Sequence, residues 1–189
     1  MNDLINKIES KITLNEVEKN HILSMDTPIF HKKKEILIRQ GQIAEKLFYV
    51  KNGVLRSYSI STKGDDLTEE IISSSNLFTV FESFGENKPS KLFVETVTDC
   101  ELIEIPKKEY LALFNKIKEW FMFCNHINGE YLKKSSNRIS SLKNLSAKHR
   151  YDNFVSENLE IAKLVPIKHL ASYLGIKPQS LSRIRKHRI

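Results

Sequence analysis

Apolar residues recur at helical spacing near the start of the chain, with Leu4, Ile5, Ile8 and Ile12 on one face. Thr13 and Glu16 then stand three apart, as a capping box does, and predict a second short helix ending near residue 24. From residue 29 to 105 the period shortens to that of strands. β-Compatible runs fall at 35–39, 47–50, 54–60, 67–72, 92–97 and 101–105, with turn signals between them at Gln40-Gly41, Asn52-Gly53, Lys63-Gly64-Asp65 and Thr98-Asp99. Asn52-Gly53 is the strongest hairpin signal, because a two-residue turn needs positive φ at both central positions. Strands this closely spaced, with no helices interleaved, predict a small antiparallel barrel or jelly roll. Residues 76–90 interrupt the pattern and read as a short helix and loop.

After Pro106 the helical period returns and holds to about residue 146. Ile117, Trp120, Cys124, Ile127 and Tyr131 follow alternating steps of three and four, and the stripe continues less cleanly through Ser135, Ile139 and Leu142. A stripe of that length is either a core face or a seam between two chains, and we favour the seam. A shorter helix over 146–159 turns Tyr151, Phe154 and Val155 inward. The predicted fold is α+β: a β roll with flanking helices over 1–115, a connecting and dimerising helix over 116–145, and an all-α head over 146–189.

The last stretch, 167–189, has the layout of a helix-turn-helix. Ala171 is the small residue at the crossing, flanked by Leu170 and Leu174; Gly175 suits a turn of positive φ, and Ile176 plugs it. Pro178 falls at a first helical position, and Leu181 and Ile184 pack the second helix inward. The other face carries Gln179, Ser180, Ser182, Arg183 and Lys186. Arg bonds guanine bidentately and Gln adenine, while Ser and Lys hold phosphates. The alternative is an ordinary helical hairpin with a solvated basic face.

Composition sharpens this picture. The 189 residues are 40% hydrophobic, enough for one good core and a second small domain. The formal charge is +7, yet residues 133–189 hold 13 basic and three acidic groups, net +10, whereas residues 1–132 are net −3. A mildly acidic first part joined to a strongly basic last third implies one domain that senses and one that binds a polyanion, with steep salt dependence. No apolar run approaches 18 residues and no leader is visible at Met1, so a cytoplasmic protein without a membrane span is expected. Cys100 and Cys124 are too few for a zinc cage and read as buried thiols. No metal and no resident cofactor is expected.

Gly41 and Gly53 in the roll, the run from Pro89 to Leu102, and Leu174 to Lys186 together resemble the Crp/Fnr superfamily of bacterial transcription regulators over essentially the whole chain. The resemblance implies a homodimer on double-stranded DNA, with RNA polymerase and a small-molecule effector as candidate partners. It also implies base reading at the positions of Pro178, Gln179 and Arg183, of which Pro178 offers no side-chain donor. Lys177, Ser180, Arg185, Lys186 and Arg188 would hold phosphates. In the family, a Gly-Glu pair and an Arg-Ser pair bind a cyclic nucleotide; the matching positions here are Thr79-Val80 and Ser90-Lys91. Losing either charged partner removes a hydrogen bond of roughly 1.5–3 kcal/mol, so cyclic AMP is not the expected effector. A phosphate site built on Lys91 is the alternative, and a roll filled by Phe78, Phe81, Phe84 and Phe93 is the other. An iron–sulfur cluster would need four cysteines.

An enzyme is the competing class. The strands lack the closely spaced His and Glu of a metal-bearing roll, and no G-x-S-x-G elbow or phosphate-cradling glycine loop is present. The expectation is a regulator, not a catalyst.

Overall fold

A computed structural model describes residues 3–186. Two short helices, α1 (Asp3–Glu9) and α2 (Glu16–Met25), open the chain. The capping box sits two residues later than predicted: the Asn15 side chain accepts from the Glu18 amide, and the Glu18 carboxylate accepts from the Asn15 amide.

The roll is built from β1 (Pro28–His31), β2 (Ile36–Ile38), β3 (Lys46–Asn52), β4 (Val54–Ile60), β5 (Asp66–Ser73), β6 (Asn76–Phe78), β7 (Phe93–Thr96) and β8 (Cys100–Pro106), with α3 (Phe81–Glu86) between β6 and β7. They form two antiparallel four-stranded sheets in the orders β1-β8-β3-β6 and β2-β7-β4-β5. The α+β expectation therefore holds. Two strands escaped the sequence reading. Three of the four β1 residues are exposed, so no alternation marks it, and β6 is only three residues long.

The expected hairpin at Asn52-Gly53 does not form. Both edges of β3 are taken, by β6 and β8, and the chain instead crosses there into the other sheet. Gly53, at φ +99°, serves a different need: a Cβ on it would stand 2.5 Å from Cys100 Sγ and 2.6 Å from the Asp99 carbonyl. The true hairpin joins β4 to β5 through Lys63-Gly64-Asp65, closed by the Ser61 amide donating to the Asp65 carbonyl at 2.9 Å.

The predicted continuous helix after Pro106 breaks in two, α4 (Lys107–Lys116) and α5 (Trp120–Asn144). Ile117 is the C-cap of α4 in an extended conformation, so it is not on the long helix at all. The head comprises α6 (Ala147–Glu157), α7 (Leu159–Leu164), α8 (Ile167–Tyr173) and α9 (Pro178–Lys186), α7 being an element the periodicity missed. Ser146 caps α6 by accepting from the His149 amide.

Apolar side chains segregate into two cores. One fills the roll and continues under α1, α2, α4 and the start of α5. The other joins the head to the outer face of the second sheet, where Val54, Ile71 and Val97 meet Tyr151, Leu170, Tyr173 and Leu174. Cys100 is buried and Cys124 half-buried, its thiol 3.2 Å from the Tyr110 hydroxyl; both are free.

Candidate nucleic-acid interface and its connection to the roll

The turn between α8 and α9 is a Schellman closure. The Ile176 amide donates to the Ala171 carbonyl at 2.8 Å and the Gly175 amide to Ser172 at 3.1 Å, with Gly175 at φ +63°. Leu170, Ala171, Leu174, Ile176 and Leu181 are buried and Ile184 packs against them half-buried, so every inward position falls where its spacing put it. Lys177, Pro178, Gln179, Ser180, Arg183 and Lys186 are exposed along α9 and its entry. Two residues depart from that set. Arg185 is turned inward: its guanidinium donates to the Ala162 carbonyl and lies 5.9 Å from the Tyr151 ring, so it ties α9 to α6 and α7 instead of facing outward. Arg188 lies outside the described residues.

The four positions matched to a nucleotide pocket do not converge on a phosphate. Thr79 is buried and donates to the Lys46 carbonyl at 2.8 Å, Val80 is buried, and Ser90 spends its hydroxyl on Leu92 at 2.7 Å. Lys91 is a surface residue, 74% exposed, paired with Glu82 at 2.6 Å. Of the four phenylalanines, Phe78 and Phe84 enter the roll core. Phe81 leans on Tyr131 with centroids 5.6 Å apart, and Phe93 stacks on Tyr58 at 5.1 Å.

The stripe proposed as a seam also needs correction. Ile117 and Trp120 are buried in this chain's own core, and Cys124 and Ile127 pack against it. A helix wheel at 100° per residue puts Phe121, Leu132 and Ile139, all exposed, on a separate face of α5.

Residues that sequence reading passed over connect head to roll. The Ser172 hydroxyl accepts from the Thr68 amide at 2.9 Å and donates to the Asp66 carbonyl at 3.2 Å. From α5, Arg138 donates to the Tyr173 and Thr68 carbonyls at 3.2 and 3.3 Å, bridging head and β5. Arg150 donates to the carbonyls of Leu145, Leu174 and Gly175, fastening the end of α5 to the turn. In the sequence these arginines look like any other charge of the basic third. Burial pushes the Tyr173 phenol up to about 12.

Arg56, 2% exposed, is the hub beneath α8. It donates to Glu95 at 2.6 Å, Asp66 at 3.1 Å and Thr68 at 3.2 Å, and Lys168 of α8 reaches the same Asp66 carboxylate at 3.4 Å. Burial works to raise the Asp66 carboxyl, but the Arg56 guanidinium and Lys168 outweigh it and hold it below its ordinary value. Burial, and after it the Arg56 charge, pushes the His169 imidazole down. The unfolded chain then takes up a proton near pH 6.5 that the folded chain refuses, so stability is full above about pH 6.5 and declines as pH falls below it. Urea unfolding between about pH 7.5 and 5.5 should show that decline, and His169→Gln should flatten it. An unchanged slope in the variant would remove His169 as the source.

Residues 28–116 match the family described as the cyclic nucleotide-binding domain. The cAMP-activated global transcriptional regulator CRP of Haemophilus influenzae is 28% identical over 109 residues, 58% of this chain and 49% of that protein. The chain thus spans about half the length of the curated relative it matches. Among solved structures, FixK2 from Bradyrhizobium japonicum aligns with a TM-score of 0.75 at 16% identity, covering 85% of this chain and 83% of that one. The c-di-GMP responsive global regulator CLP of Xanthomonas campestris aligns with a TM-score of 0.70 at 18% identity, covering 92% and 91%. At such identities the structural likeness speaks for the fold. Among the described residues, no helix is long and apolar enough to cross a membrane.

Proposed function

From the premise that this is a Crp/Fnr-type chain, with a cyclic nucleotide-binding domain over 28–116 and that superfamily's fold, we propose a homodimeric transcription regulator that reads duplex DNA. The observation that carries the reading is the exposed edge of α9. Gln179, Ser180, Arg183 and Lys186 project from a helix whose opposite side packs inward, Leu181 fully buried and Ile184 half-buried. In this reading Gln179 and Arg183 enter the major groove, Pro178 meets the groove without a donor, and Lys177, Ser180 and Lys186 hold phosphates. Arg188 extends the phosphate grip.

The roll, 1–115, would be the sensor and 146–189 the reader, joined by the helix of 116–145. Dimerisation would use Phe121, Leu132 and Ile139, which follow the heptad-like spacing of a two-helix seam. The placement of Ser90 and Lys91 supports an effector other than cyclic AMP.

Arg183→Ala should relax preference at one base pair by about 1–3 kcal/mol. Lys186→Ala should weaken all duplexes alike and lower the salt slope by about one. Gel shifts against a selected duplex and its single-base variants, over a salt series, separate the two. Equal, sequence-blind losses for both changes would count against these roles.

A further inference from the structure

The head rests on the roll through α8, which meets β5, the edge strand of its sheet. Side chains of the head and of α5 pair that edge where a further strand would otherwise lie. The Ser172 hydroxyl accepts from the Thr68 amide and donates to the Asp66 carbonyl, and Arg138 donates to the Thr68 carbonyl. The Thr68 amide is therefore paired by the head and would meet water if the head left.

His169 stands in the first turn of α8, with Nδ1 buried and without a hydrogen-bond partner among the described residues. The charged groups facing it are Arg56 of β4, Asp66 of β5, Glu95 of β7 and Lys168 of its own helix, two cations and two carboxylates. The remaining charges near α8 are engaged or turned away. Arg138 of α5 lies over the Tyr173 ring at 4.7 Å, Arg185 of α9 is held at the Ala162 carbonyl, and Arg183 and Lys186 face outward. Both carboxylates already serve Arg56, so an imidazolium would add a third cation without a third acceptor. It would also carry a proton on Nδ1, where no acceptor waits.

We propose that His169 is a proton-operated latch: with a neutral imidazole α8 stays on β5, and with a protonated one the head leaves the roll. Burial, and after it the Arg56 charge, presses the docked imidazole down, whereas in a released head it meets water and returns to its ordinary value. The proton thus binds the released state better than the docked one, and that difference shifts the balance between them. Docking is at full strength above about pH 6.5 and weakens as pH falls below it. Asp66 stays ionised across this window, because its carboxyl is held below its ordinary value. The proton is then a signal read at the joint between head and roll, and the inference does not depend on the DNA reading.

Hydrogen exchange of the full chain, followed by NMR in low urea and corrected for the intrinsic rate at each pH, tests the latch at the Thr68 amide. That amide should open with little urea dependence, unlike the amides of β3, which need global unfolding. Its opened fraction should rise about three- to tenfold from pH 7.5 to 5.5, tenfold being about the ceiling for one proton taken up at the ordinary histidine value. His169→Gln should abolish the rise, and His169→Lys, with a fixed charge, should show the acid-state exchange already at pH 7.5. His149→Gln, which removes the other described histidine of the head, should leave the rise intact. Thr68 exchange with the urea dependence of β3, a rise that survives in His169→Gln, or one lost in His149→Gln would overturn the proposal.

Discussion

Trp120→Ala is expected to lower the free energy of unfolding by about 3–5 kcal/mol, the usual cost of emptying a large aromatic site in a packed core. The indole is 2% exposed, 4.9 Å centroid to centroid from Phe123 and 6.1 Å from Tyr110, so truncation leaves a cavity that α4 and α5 must collapse around. Leu132→Asp should behave in the opposite way. At 67% exposed it has little to lose within the chain, but a carboxylate at the centre of the proposed two-helix seam would separate the subunits. Urea unfolding at several protein concentrations, together with sedimentation, distinguishes a core residue from a seam residue. If Trp120→Ala dissociates the dimer while leaving the subunit's stability intact, the seam lies on the other face of α5.

Arg56→Leu should cost a further class of stability, again about 3–5 kcal/mol, because it strands Glu95 and Asp66 without their shared cation. Glu95 and Asp66 side chains are 13% and 25% exposed, too covered for water to replace the guanidinium fully. Arg56→Lys should recover only part of that loss. An ammonium cannot serve three partners in the fixed fork that reaches Glu95, Asp66 and Thr68. The consequence should extend to the head, since Lys168 shares Asp66 and Ser172 bonds the same strand. Hydrogen exchange should therefore rise in residues 167–175 more than in β3. Unchanged protection across α8 would mean that the head is held by its apolar contacts alone.

The helix-turn-helix was legible almost residue by residue because its rules are local. Ala171, Gly175, Ile176 and Pro178 act within a dozen positions, and the Schellman bonds they make span five residues or fewer. The strands were legible as runs for the same reason. Their partners were not: Asn52-Gly53 carries a hairpin signal, but β3 pairs with β6 and β8, a choice made by residues 26 to 60 positions away. Cationic side chains behaved alike. Arg183 and Arg185 differ by two positions, about 200° around α9, so the period puts Arg185 on the side of Leu181; only packing against α7 supplies its partner, the Ala162 carbonyl.

Period, capping chemistry and charge asymmetry along the chain were sufficient to establish a β roll, a long helix and a basic helix-turn-helix, because each arises from interactions between near neighbours. Which surface each apolar stripe meets, and which carbonyl holds Arg185, was decided only when distant segments came together. Periodicity reports that a face is apolar; it carries no information about what will cover it. Trp120 and Leu132 sit on the same helix, and the difference between core and exposed face came entirely from where the roll lay against it.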